Sequence, residues 1–131
     1  MTTSFYLESS AAMKLFEREQ GSQELRDWLM VQEELPLVTS ELTKLEVLGN
    51  LSKNRLVEAR SFFENLTLIQ VKRSILDDAV FSMRSGLKAL DAIHHATIRL
   101  IIGDLAGVIS YDKRLNAAVR ALGVRVISPA G

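Results

Sequence analysis

The sequence predicts a single α/β domain, a mostly parallel sheet of about five strands flanked by helices. Three observations lead there. Short β-prone runs alternate with segments of helical periodicity along the whole chain. The β-prone runs lie too far apart for hairpins, which leaves helical crossovers between parallel strands. The 131 residues provide one core with little room for a second, so residues 1–131 are read as one domain.

Phe5-Tyr6-Leu7 is the first β-prone run, and Glu8 follows it. A serine of Ser9-Ser10 is expected to cap a helix over Ala11 to Gln20, which Gly21-Ser22 breaks. Leu25, Trp28 and Leu29 keep helical spacing through a second helix ending near Glu34, and Pro36 precedes a strand at Leu37-Val38. Thr39 and Ser40 offer caps for a helix from Glu41 to Lys53, where Leu42, Leu45, Leu48 and Leu51 are predicted to share one side with Glu46 beside them. Asn54 is a candidate cap for a helix through Phe63, and Leu66 to Val71 reads as the third strand. Ser74 and Asp77 are spaced like a capping box, opening a helix that Ser85-Gly86 ends. The next helix carries Leu90 and Asp91 near its start and runs through Ile102, apolar on most of its circumference. After Gly107 a fourth strand is predicted at Val108 to Tyr111. Asp112 stands at the N-cap of a helix bearing Leu115, Ala118, Val119 and Leu122, and Gly123 closes that helix before a last strand, Val124 to Ile127.

Composition excludes several function classes. Sixteen basic residues balance sixteen acidic ones, so a nucleic-acid partner must be held by a local patch and not by bulk charge. Cysteine is absent, which rules out disulfides and thiolate metal sites and fits a cytoplasmic location. No targeting signal is evident, and the most apolar stretch, Ile98 to Val108, is interrupted by Arg99, Gly103, Asp104 and Gly107, so no membrane span is expected. Neither Gly-rich phosphate-loop pattern occurs, which sets aside nucleotide-cofactor readings. A receiver-type phosphoacceptor domain would want an aspartate at a strand end, and Glu8-Ser9-Ser10 does not supply one.

Four acids stand out as a set. Glu8 and Asp112 fall at the carboxyl ends of predicted strands, where open α/β sheets collect ligands, Glu46 lies on an apolar helix and Asp91 near the start of a buried one. Singly, each has a plain explanation: Asp112 as a helix cap, Asp91 as a first-turn acid facing the helix dipole, Glu8 as a loop residue, Glu46 as an outward-pointing side chain. Together they would repel one another unless a cation joined them. Carboxylates without thiolate or imidazole partners suit hard Mg²⁺ or Mn²⁺.

The same residues carry a family resemblance. Phe5-Tyr6-Leu7-Glu8-Ser9-Ser10-Ala11, Glu46-Val47-Leu48, Leu90-Asp91-Ala92-Ile93-His94-His95-Ala96, Ser110-Tyr111-Asp112-Lys113-Arg114-Leu115 and Gly123-Val124-Arg125-Val126-Ile127 follow one another as in the PIN-domain ribonucleases, and the chain most resembles their VapC toxin branch. The resemblance covers essentially the whole chain. It implies a PIN-like fold and a metal-dependent endoribonuclease whose acidic quartet, Glu8, Glu46, Asp91 and Asp112, binds Mg²⁺ or Mn²⁺, with Ser10 supporting the first acid. It further implies an RNA substrate, a homodimer and a cognate VapB-like antitoxin. The pattern departs at one point, since the family has aspartate where this chain has Glu8. The alternative reading is therefore a PIN-like interaction domain that binds antitoxin or RNA without efficient turnover.

His94 and His95 are adjacent on a helix and so point about 100° apart, which keeps both from serving one site. Both are assigned structural roles, although His94 matches a histidine common after the family's Leu-Asp-Ala and is expected to pack near the site. Lys113 and Arg114 follow Asp112 closely and are the candidate contacts to an RNA backbone. Trp28, Leu29 and Phe63 are candidates for a partner groove but read more readily as core.

Overall fold

The computed structural model describes residues 4–32 and 36–131. Its strands are β1 Ser4–Leu7, β2 Leu37–Ser40, β3 Thr67–Ile69, β4 Leu105–Ile109 and β5 Val126–Ile127. Its helices are α1 Ser9–Phe16, α2 Ser22–Val31, α3 Glu41–Asn50, α4 Leu56–Glu64, α5 Arg73–Arg84, α6 Ala89–Leu100 and α7 Lys113–Ala121. All strand pairs are parallel, in the order β3-β2-β1-β4-β5. The chain builds outward from β1 to β3, then returns to β4 on the other side of β1. The crevice at the carboxyl ends of β1 and β4 is thus the switch point where such sheets take ligands.

Period-two alternation along the central strands divides the core. Phe5 and Leu7 of β1 and Ile109 of β4 pack with α1, α2, α3 and α4 through Ala11, Phe16, Leu25, Val47 and Phe63. Tyr6 and Val108 point the other way, onto α5, α6 and α7 through Ile75, Ala96, Ile98, Leu115 and Val119. A one-residue slip of β1 would exchange these two sets, so register is fixed by both faces at once. Gly107 of β4 lies opposite Phe5, and a Cβ there would meet Ile127 Cδ1 at 2.5 Å and the Arg125 carbonyl oxygen at 3.2 Å. Gly107→Ala is expected to cost about 1 to 3 kcal/mol by overpacking, read as a lower urea midpoint at unchanged slope.

Several local expectations are corrected. Helix α1 is capped by Glu8, whose side chain accepts from the Ser10 amide, and not by a serine. The helix also stops at Phe16, short of Gln20. Asn54 lies in a 3-10 turn, Lys53–Arg55, and caps nothing. Helix α5 opens after Lys72 without a side-chain cap, so Ser74 and Asp77 make no capping box. On α3 the buried residues are Leu42, Thr43 and Val47 while Leu45 is 70% exposed, because the sheet contacts a narrower stripe than the leucine spacing suggests. Helix α6 presents one buried face, with Leu90 and Leu100 exposed, and ends before a 3-10 turn at Ile102–Asp104. Strand β4 begins at Leu105 and includes Gly107, so it ends two residues earlier than predicted. Strands β3 and β5 are shorter than their β-prone runs, and the second helix's predicted end near Glu34 lies outside the described residues.

Candidate active site

Three of the four acids stand at helix N-termini. Glu8 is the N-cap of α1, Asp112 the N-cap of α7, and Asp91 lies in the first turn of α6. Each helix start offers unpaired amides and partial positive charge, which is why the chain places carboxylates there. Glu8 is almost fully buried at 4% exposure. Its Oε1 accepts from the Ser10 amide at 3.0 Å, from the Ser110 hydroxyl at 2.8 Å and from the Ser10 hydroxyl. Ser10 Oγ in turn accepts from the Tyr111 amide at 2.8 Å, and Ser110 Oγ from the Asp112 amide at 3.2 Å. Two serine hydroxyls thus tie the end of β1 to the end of β4. Asp112 Oδ1 accepts from the Leu115 amide at 2.9 Å.

Glu46 belongs to a separate network, built on Ser9, the residue between Glu8 and Ser10. Its Oε1 receives the Ser9 hydroxyl at 2.5 Å and lies 2.8 Å from His94 Nε2. His94 is buried, and its Nδ1 lies 2.7 Å from the Tyr6 hydroxyl. Burial alone would push the Glu46 carboxyl up, but the His94 and Ser9 hydrogen bonds outweigh it and hold the group below the usual glutamate value. The fully buried Tyr6 hydroxyl is pushed far up by burial and by the nearby Glu8 carboxylate, so it stays protonated. With the Tyr6 O–H donating to Nδ1, the Nε2–H is left to donate to Glu46.

The Asp91 carboxyl is pushed up to about 6, first by burial, then by the Asp112 and Glu8 carboxylates it faces. Apart from Asp112, no side chain or amide among the described residues donates to it, and Oε2 of Glu8 is without a protein donor. A half-buried carboxyl beside two other acids, hydrogen-bonded to Asp112 and only partly offset by His94, holds its proton more readily than a free aspartate. Among the described residues no three His, Cys, Asp or Glu side chains are grouped so that they could hold a metal ion. The chemistry of the donors, all carboxylate oxygens, is that of Mg²⁺, which keeps several waters and takes few protein ligands. The metal-free protein should show the repulsion directly. Between about pH 4 and pH 6 the folded state holds a proton on Asp91 that the unfolded chain has released, so stability falls as pH rises through that window. Urea melts in chelator should show this fall, and Asp91→Asn should flatten it.

The PIN domain family model matches residues 5–121. The chain belongs to the PIN-domain family. Among curated relatives, ribonuclease VapC46 of Mycobacterium tuberculosis (strain ATCC 25618 / H37Rv) is 36% identical over 127 residues, covering 95% of this chain and 96% of that protein. Ribonuclease VapC35 of the same strain is 34% identical over 129 residues, with 95% and 96% covered. In solved structures the fold matches the sarcin-ricin loop cleaving toxin VapC20 of Mycobacterium tuberculosis (TM-score 0.74, 14% identity, 87% of this chain and 94% of that one). It also matches a toxin–antitoxin complex from Klebsiella pneumoniae (TM-score 0.74, 21% identity, 95% and 96%).

In this PIN domain the two predicted RNA contacts separate. Lys113 and Arg114 are both exposed, but Lys113 lines a groove between α1, α7 and the segment Ser128–Gly131, whereas Arg114 lines a smaller hollow beside Ser85, Leu87 and His95. The histidines separate as well. His94 joins Tyr6 to Glu46, while half-buried His95 meets the Ser82 hydroxyl, at 2.6 Å, and the Ala118 backbone, and is shifted down by burial and by Arg99. Phe63 is fully buried, and Trp28 and Leu29 pack partly buried against the same core, Trp28 edge-on to Phe5 at 5.0 Å. Ser9, Ser110, Tyr6 and Asn116 were not predicted as site residues. Tyr6 and Ser110 alternate with core positions along β-prone runs, which made them indistinguishable from packing residues in sequence.

Proposed function

We propose that this PIN domain is a metal-dependent endoribonuclease toxin, neutralised by a cognate VapB-like antitoxin. The reading rests chiefly on Asp91, a carboxyl that faces two further acids at the switch-point crevice. The ribonuclease names of relatives at 34 to 36% identity support the substrate class. Among the described residues no helix is long and apolar enough to cross a membrane, compatible with action on cytoplasmic RNA. The family resemblance implies an antitoxin partner, in keeping with the toxin–antitoxin complex among the fold matches, and the homodimer rests on that resemblance alone.

In the proposed mechanism Asp91, Asp112, Glu8 and Glu46 would hold one or two Mg²⁺ or Mn²⁺ ions, which would supply a lowered pKa for the attacking water and positive charge for the phosphate oxygens. The chain's own part is preorganisation. Ser10 and Ser110 clamp one oxygen of Glu8 and leave the other available, the α7 amide of Leu115 orients Asp112, and His94 with Ser9 keeps Glu46 ionised and fixed in direction. Water gives up a proton as it adds to phosphorus and one ester P–O bond breaks, and the released oxygen takes up a proton in its place.

The departure at Glu8 gives a separate test. Its extra methylene displaces the carboxylate by more than the roughly 0.5 Å that a catalytic constellation tolerates. Glu8→Asp keeps the charge and is a better N-cap, and it is expected to raise RNA cleavage more than tenfold, or about 1.4 kcal/mol of barrier. Cleavage unchanged in Glu8→Asp would mean the longer acid is tolerated. Absence of cleavage by both forms with Mg²⁺ and Mn²⁺ would transfer the assignment to an interaction domain without turnover.

A further inference from the structure

The groove lined by Lys113 has a volume of about 650 Å³, and two of its lining residues, Tyr111 and Lys113, flank Asp112 in the chain. Helix periodicity sets Lys113, Asn116 and Arg120 on one side of α7, and Lys14 of α1 faces them. Asn116 is buried and forms the link between groove and crevice: its Nδ2 donates to the Ser110 carbonyl oxygen at 2.9 Å, and the Ser110 hydroxyl donates to Glu8. Lys14 is largely committed, donating to the Gln20 carbonyl oxygen at 2.8 Å, pairing with Glu19 at 3.3 Å and lying over the Tyr111 ring. Lys113 and Arg120 are exposed, and among the described residues neither has a carboxylate within ion-pair distance. In a chain of zero net charge, two uncompensated cations in one groove next to a cluster of acids form a local anion-binding face.

We propose that this groove is a subsite for the RNA strand flanking the cut, with Lys113 and Arg120 each holding a different backbone phosphate. The proposal rests on the ribonuclease reading above and adds Arg120, remote in sequence from the acids, to the substrate contacts. Seven residues of helix separate the two cations by about 10 Å along the axis, too far to share one phosphate. The strand would therefore run along α7 away from Asp112, and a substrate must extend beyond the scissile phosphate on that side.

The test uses the full chain carrying Asp91→Asn and a fluorescently labelled single-stranded RNA, with affinity measured against salt concentration. Each phosphate contact contributes about 0.7 to the slope of log affinity against log salt on a single strand. Arg120→Gln is expected to weaken binding several-fold and lower the slope by about 0.7, and Lys113→Gln with Arg120→Gln by about 1.4. Arg60→Gln, an exposed α4 residue outside the groove, serves as the control and should change neither. The chain with Asp91 intact is assayed for RNA cleavage in parallel. Cleavage with an unchanged slope in Arg120→Gln would overturn the subsite alone. Absence of both cleavage and RNA binding would overturn the ribonuclease reading, and the subsite with it.

Discussion

Asp91→Asn is expected to lower RNA cleavage at least a thousandfold, about 4 kcal/mol of barrier, while raising the melting temperature of the metal-free protein. The two effects have one cause. Asp91 faces Asp112 and Glu8, so its charge is costly to the fold by itself, and in the proposed reading that charge is what a cation would need. The amide keeps the size of the side chain and removes that charge, and a hard cation loses a ligand. A divalent ion binding only the folded state should also raise the melting temperature of the unsubstituted protein, by a margin that grows with metal concentration, and should do so far less in Asp91→Asn. Differential scanning at several Mn²⁺ concentrations measures both. Were the variant less stable without metal and equally responsive to it, Asp91 would be a structural acid.

The second large effect is expected at His94. Removing it leaves the Tyr6 hydroxyl and the Glu46 carboxylate without their shared partner inside the domain. Leaving a buried hydrogen-bonding group unsatisfied costs about 1 to 3 kcal/mol, and His94→Ala orphans two, of which Glu46 retains some solvent contact, so a loss of about 3 kcal/mol is expected. Cleavage should fall too, because Glu46 loses the hydrogen bond that keeps it ionised and aimed. His95→Ala, losing its Ser82 and Ala118 hydrogen bonds, should cost about 1 to 2 kcal/mol and leave cleavage unchanged. Urea unfolding of the two variants, with cleavage measured on whatever fraction stays folded, separates the roles. Equal losses in both would mean that His94 contributes no more than packing.

That contrast marks where sequence reasoning reached its limit. The alternation of β-prone and helical runs was legible because a two-faced parallel sheet forces it, but crossovers fix only that strands are parallel, and the order β3-β2-β1-β4-β5 was not legible. Glu8 and Asp112 were legible as acids at strand ends. Their dual use as helix caps was legible for Asp112 but not for Glu8, where a serine cap is the commoner solution and Ser10 instead bonds to the acid. His94 differs from His95 only in which way it points, a matter of about 100° of helix rotation that depends on how α6 docks against Tyr6. The groove was invisible for a similar reason. Lys113 and Arg114 are neighbours in sequence yet line different hollows, while Lys113 and Arg120 are seven apart and line one.

The central claim is that these four acids cut RNA with the help of a divalent ion, and one experiment tests it most directly. The purified chain is incubated with a total RNA pool in Mn²⁺ or in chelator, beside Asp91→Asn, and the new RNA ends are sequenced. The account predicts internal cuts at a restricted set of sites in Mn²⁺, none in chelator, and none with Asp91→Asn. Cuts that persist in chelator or in Asp91→Asn, or no cuts from a folded protein under any of these conditions, would contradict it.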